Sequence, residues 1–189
     1  GYLGYKKFIQ EPKNIEASNE MYQAQNYFNE AIAGAAQKDS LFNLALNGGE
    51  GKYGFLDIID SYGGTQSANL AHYYAGMAYL NMNQYKQAID QLEDFESDDE
   101  MLGPLAKGGI GDAFAQLDQL DEALDYYAAA AKMQDNDFTA PRFLFKASMV
   151  AIELGQKDKA AGFLKEIKEK YPKSTEAGEA ELYLGMVSQ

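Results

Sequence analysis

"YYAGMAYLNMNQYKQAIDQL", from Tyr73 to Leu92, orders its residues as small, large, polar, large, small. Ala75 and Gly76 are followed three residues on by Tyr79, then by the polar "NMNQ", then by Tyr85, Ala88 and Leu92. A single amphipathic helix would carry its apolar spacing through the polar stretch. Two helices joined by a turn need a residue there that accepts left-handed backbone, and Asn83 is of that kind. The stretch reads as a first helix over "YYAGMAYL", a turn at "NMNQ" and a second helix over "YKQAIDQL".

The unit recurs. Gly76 is matched by Gly111, Ser148 and Gly185 at intervals of about 35–37 residues, the range of helical-pair repeats. Three positions on stand Tyr79, Phe114 and Ala151, and seven on stand Asn83, Asp118 and Gly155. Twelve on stand Ala88, Ala123 and Ala160, and sixteen on stand Leu92, Tyr127 and Leu164. Separately, "YGGTQSANLAHYYAG" (62–76) aligns without a gap to "YPKSTEAGEAELYLG" (171–185). Gly76 and Gly111 would let paired helices approach closely, with Ala88, Ala123 and Ala160 doing the same from the partner helix. Tyr79 and Phe114 would fill the space between pairs. Asn83, Asp118 and Gly155 suit the turns. Pro104 and Pro141 suit helix starts, and Pro172 suits the stop after a helix.

The N-terminal third is less regular. Ile15 to about Gln37 reads as one helix, with Met21, Ala24, Phe28 and Ile32 at helical spacing. "SLFNLALNG" (40–48) reads as a short helix with Ser40 as N-cap, "GGEGKYG" as a break, and "FLDIIDSY" as a helix again. We read this as a degenerate repeat with a split second helix. "GYLGYKKF" places aromatics beside Lys6 and Lys7. That is how a membrane-spanning helix often ends at the lipid interface; the alternative is a disordered leader. The opening Gly1 in place of Met is expected of a fragment or a processed chain.

Composition removes several classes. Net charge is −13 and the isoelectric point about 4.4. Such a chain repels phosphate backbones, so nucleic acid is not an expected partner. Without cysteine there is no disulfide framework and no thiolate metal site. "GGEGK" lacks both the upstream Gly and the trailing Ser or Thr of a phosphate loop: Leu46 and Tyr53 stand there. His72 is the sole histidine, so a catalytic triad or histidine metal cluster has no material, and packing is its expected role. The acidic run from Asp90 to Glu100 lacks the order of ligands and central Gly of a calcium loop, and reads as a solvated loop. No cofactor, metal or catalytic residue is assigned, and an enzyme is not expected. Arg142, Lys146, Lys157, Lys159, Lys165, Lys168, Lys170 and Lys173 make the third unit basic against acidic neighbours. This asymmetry either orients a partner or stacks copies, or is ordinary surface variation.

On these residues the chain resembles the tetratricopeptide repeat family. Ala75, Gly76, Tyr79, Ala88 and Leu92 match its signature, as do Ile110, Gly111, Phe114, Ala123 and Tyr127. The third unit departs from it at Ser148 and Lys157, and His72, Lys107 and Leu144 replace the usual Trp. The resemblance implies an all-α fold, an α-α superhelix of helical hairpins winding as a right-handed solenoid. The expected organisation is a juxtamembrane leader over 1–14, degenerate helices over 15–68, three repeats over 69–174 and a C-terminal capping helix over 175–189.

In that family the first helices line a concave groove. Here the positions are Leu70, Tyr73, Met77 and Leu80, then Leu105, Gly108, Asp112 and Ala115, then Arg142, Phe145, Met149 and Ile152. The face is apolar, aromatic and Met-bearing, and suits an amphipathic helix or an extended apolar peptide. Alternatively, terminal helices fold over it and make it core. Relatives that clamp acidic chaperone tails use Lys, Arg and Asn here; Tyr73, Met77, Gly108 and Asp112 do not support that role. The layout is similar to bacterial inner-membrane proteins in which one N-terminal membrane helix precedes such a domain outside the cytoplasm, associating with the translocon and periplasmic chaperones. The resemblance implies a protein–protein scaffold with a protein or peptide partner, a periplasmic domain, and a membrane helix upstream of Gly1. The alternative is a self-assembling structural protein, a homo-oligomer built by stacking.

Overall fold

A computed structural model describes residues 2–188 and shows an all-α repeat fold; Gly1 lies outside the described residues. The chain divides into two compact units, Gly1–Glu96 and Ser97–Gln189.

The first unit opens on a helical run: α1 (Tyr2–Tyr5), a π-helical turn (Lys6–Gln10) and α2 (Glu11–Ile32). Pro12 explains the π turn. Its ring removes the N–H that would bond the Phe8 carbonyl and crowds that carbonyl, so the helix widens by a residue just before it. The Glu11 N–H accordingly donates to the Lys6 carbonyl. The helix expected over 15–37 thus begins earlier. It also ends earlier, before Gly34 at φ 91°. Its core stripe is Ala17, Met21, Ala24, Phe28 and Ala31, and Ile32 is exposed instead.

Next come α3 (Lys38–Asn47) and α4 (Phe55–Ser61). Ser40 is not the N-cap, because α3 starts two residues ahead of it and no side chain caps that start. Between the helices, Gly49 and Lys52 pair across Glu50 (φ 53°) and Gly51 (φ 74°). Two successive positive φ values make a tight reverse turn, which is what "GGEGK" forms. The Gly54 N–H then donates to Asp57 Oδ2 at 2.9 Å and caps α4.

α5 (Gln66–Asn81) and α6 (Tyr85–Glu93) are the pair predicted from the opening stretch. Asn83 turns the chain at φ 59°. Thr65 caps α5 by accepting from the Ala68 N–H at 3.1 Å. A Cβ on Gly76 would collide with the Leu92 side chain, so the helices meet as closely as the small residue allows. The core joins Phe28 to Phe42, Phe55 and Tyr74, with Phe55 stacked on Tyr74 at 5.0 Å.

The second unit holds α7 (Leu102–Gln116), α8 (Leu120–Met133), α9 (Thr139–Glu153), α10 (Lys157–Lys170) and α11 (Ala177–Val187). Asp118 (φ 59°) and Gly155 (φ 72°) make the turns, at the positions the spacing predicts. Pro104 and Pro141 each take the third place of a helix, where no intrahelical N–H is lost. Gly111 lies under Tyr127, whose ring would be 2.7 Å from an added Cβ.

Repeated caps start α7 and α9. Asp99 Oδ1 accepts from the N–H groups of Met101 and Leu102, both at 2.8 Å. In the same register Asn136 Oδ1 accepts from Phe138 and Thr139 at 2.9 and 2.7 Å. The Leu102 and Met101 N–H groups hold the Asp99 carboxyl below its usual range. Its folded pKa is depressed, so its contribution is present above the unfolded value of about 3.9 and lost as pH falls through the folded value. Asn136 does not titrate. Thermal melts from about pH 6 down to about pH 3 should therefore show a smaller fall in Tm for Asp99→Asn than for the natural chain; equal falls would contradict this role of the cap.

Candidate functional site: the first-helix faces

In the first unit Leu70, Met77 and Leu80 are half-buried, and Leu70 and Met77 pack on the core of that unit. Tyr73 is buried, with its ring 5.3 Å from Phe95 and 5.9 Å from Tyr74. The backbone leading to Phe95 is held by Asn69, whose side-chain amide donates to the Glu96 carbonyl at 2.7 Å and whose Oδ1 accepts from the Glu96 N–H at 3.0 Å. His72 is half-buried on α5 and meets Gln91 Oε1 of α6 at 2.9 Å, a packing role.

In the second unit α7, α9 and α11 carry the face. Leu105, Phe145, Met149 and Ile152 are half-buried, and Arg142 is exposed. Gly108 is fully covered: a Cβ there would enter the space of the Phe143 ring. It sets the approach of α7 to α9 and does not line a groove. Asp112 accepts from the Tyr127 hydroxyl of α8 at 2.6 Å and pairs with Lys146 of α9. Lys146 Nζ also lies 5.5 Å from the centre of the Tyr127 ring. Burial pushes the Tyr127 phenol well above its ordinary range and Asp112 adds to that shift. The phenol therefore keeps its proton and remains the donor. The carboxylate predicted to face a partner is thus neutralised within the fold, and it ties three helices together.

The face continues onto α11. Phe145 meets Tyr183 edge-on with ring centres 5.8 Å apart. Leu182 and Met186 stand one repeat beyond Phe145 and Met149 and are 65% and 59% exposed. Sequence reading omitted both, though the interval that linked the earlier repeats points to them. α11 turns Ala177, Ala180, Tyr183, Leu184 and Val187 toward the core and leaves Leu182 and Met186 outward. Through Tyr183 it covers part of Phe145, and with Leu182 and Met186 it adds exposed apolar surface. Arg142 sits at the start of α9, its guanidinium 5.8 Å from the Phe143 ring.

Among the described residues no helix is long and apolar enough to cross a membrane. No curated protein matches the chain. Two family models do, each a tetratricopeptide repeat, over residues 73–138 and 143–174. These spans open inside α5, run through the helical pairs described above and end after α10. Together they cover just over half of the sequence, and with the paired helices, the left-handed turn residues and the close approaches at Gly76 and Gly111 they make the chain a member of the tetratricopeptide repeat family.

Proposed function

We propose that this protein is an interaction scaffold whose second unit receives an apolar segment of a partner protein along the face of α9 and α11. The observation that carries this reading is the exposure of Leu182 and Met186 beside half-buried Phe145, Met149 and Ile152. Two large apolar side chains left in water on α11, next to half-buried apolar neighbours on α9, favour a partner that removes them from it. Methionine adapts to varied surfaces, which suits a receptor of helical or extended apolar segments. Asp112 is already paired, and this face offers exposed Arg142 on α9 and exposed Glu179 one repeat on, so it favours a partner segment that carries an acidic residue at the α9 end and a basic one at the α11 end. Leu70, Tyr73, Met77 and Leu80 contribute less, since Tyr73 is buried and none of the four is exposed as Leu182 and Met186 are. The finer placement is part of the same proposal: a bacterial inner-membrane protein, anchored upstream of this chain, with the repeats in the periplasm.

The test is capture by crosslinking from cells expressing the natural full-length protein, compared with Leu182→Glu. Leu182 is exposed, so the variant keeps the fold, and far-ultraviolet circular dichroism checks that. Capture of a given partner should fall at least about tenfold, equivalent to roughly 1.4 kcal/mol of binding energy. Unchanged capture, or capture of copies of the same chain alone, would remove this reading.

A further inference from the structure

We infer that the segment 2–15 forms a lipid-docking helix, which seats on a bilayer containing anionic headgroups. Of the fourteen exposed large apolar side chains among the described residues, six fall there: Tyr2, Leu3, Tyr5, Phe8, Ile9 and Ile15, each more than half exposed. Neither α1 nor the π turn buries a single residue. Side-chain hydrogen bonds tie the run to the rest of its unit at Gln10, whose amide donates to the Gly64 carbonyl, and at Asn14, which accepts from the Ser67 N–H, and Tyr2 and Lys6 border the hollow beside Gly64–Gln66. From Ala17 onward the buried stripe takes over. Ile15 lies on the side of α2 away from that stripe, and Tyr2, Leu3, Tyr5, Phe8 and Ile9 are spread around the turns before it.

Charge selects the occupant. The chain carries −13 in total, yet Lys6, Lys7 and Lys13 stand in this stretch against Glu11 alone. A segment rich in exposed Tyr, Phe and Ile and interspersed with lysines fits a helix held about 5–10 Å into the headgroup boundary, where the rings reach acyl chains and the ammonium groups reach phosphates. The acidic bulk opposes approach to such a surface. However, charges farther away than the Debye length of about 10 Å at 0.1 M salt are largely screened, and Lys6, Lys7 and Lys13 act at the contact itself. This inference concerns the chain's own first turns; it rests neither on the partner-binding face nor on an upstream membrane span.

The experiment uses the present chain and large unilamellar vesicles of phosphatidylcholine, with and without phosphatidylglycerol, in a flotation assay. Flotation with the anionic vesicles is expected, with much less on neutral ones. Phe8→Glu and Ile9→Glu together should cut it by about tenfold or more, and Lys6→Gln with Lys7→Gln should remove the preference for anionic lipid. All four positions are exposed, so the helical content of the variants should match the parent. No flotation, or equal flotation of the Phe8→Glu, Ile9→Glu chain, would overturn the inference. So would sedimentation showing, without lipid, a dimer that those substitutions dissolve, because the face would then belong to a second copy. An upstream anchor could hold the full-length protein in any of these outcomes, so failure here leaves the scaffold reading standing.

Discussion

Gly108→Ala is expected to destabilise the second unit by about 1–3 kcal/mol, although alanine is the better helix former by about 1 kcal/mol. The cause is local. Phe143 is buried at 2% exposure and rests directly on the Gly108 backbone, so a methyl group there enters its ring space. On its other side Phe143 stacks on Tyr127 at 6.3 Å, which limits its retreat. Phe143→Ala alone should cost about 3–5 kcal/mol, the range for emptying a buried aromatic site. In a chain of this length that corresponds to a fall in Tm of roughly 10 °C. The two changes are not additive. With the Phe143 ring gone the added methyl has room, so in the Phe143→Ala background Gly108→Ala should become neutral or stabilising by up to about 1 kcal/mol. Urea denaturation of the four chains measures this cycle. A simple sum would mean that the clash is relieved by backbone movement instead of by the ring.

The second large effect is at Gly54. A Cβ there would strike backbone, at the Gly48 nitrogen and the Leu46 carbonyl, not a side chain able to swing away. Gly54 is also the residue whose N–H donates to Asp57 to begin α4, so the chain cannot shift without losing that cap. Gly54→Ala should cost about 3 kcal/mol, the upper end for overpacking, and should loosen the 48–54 turn more than the distant repeats. Hydrogen exchange would localise the loss to α3 and α4. Uniform acceleration through the first unit would show that the turn and its core unfold together.

The helical pairs were legible because the repeat prints its constraints at fixed offsets. A small residue marks each close approach, and Asn83, Asp118 and Gly155 mark turns that few other residues tolerate. Where a constraint is not repeated, the sequence was silent. Ser40 resembled an N-cap only by type; the actual start of α3 depends on where the preceding loop delivers the chain. The π turn follows from Pro12, whose effect lies on residues before it. Asp112 looked like a groove carboxylate, and nothing local identifies Tyr127 and Lys146 as its partners: those contacts exist only once α7, α8 and α9 have packed. Gly108 shared the spacing of the face, yet its lack of a side chain was the signal of a contact, as at Gly76 and Gly111. Leu182 and Met186 were within reach of the same repeat interval and required only that it be carried onto the last helix.

The most direct test of the scaffold reading is site-resolved photo-crosslinking in cells. A photoreactive residue is placed at Leu182, at Met149, or at Lys159 and Lys165 on the exposed side of α10. If α9 and α11 receive the partner, Leu182 and Met149 will label the same apolar segment of the same protein, and the α10 positions will not. Labelling from α10 alone, or from all four positions equally, would contradict the assignment of this face as the binding surface.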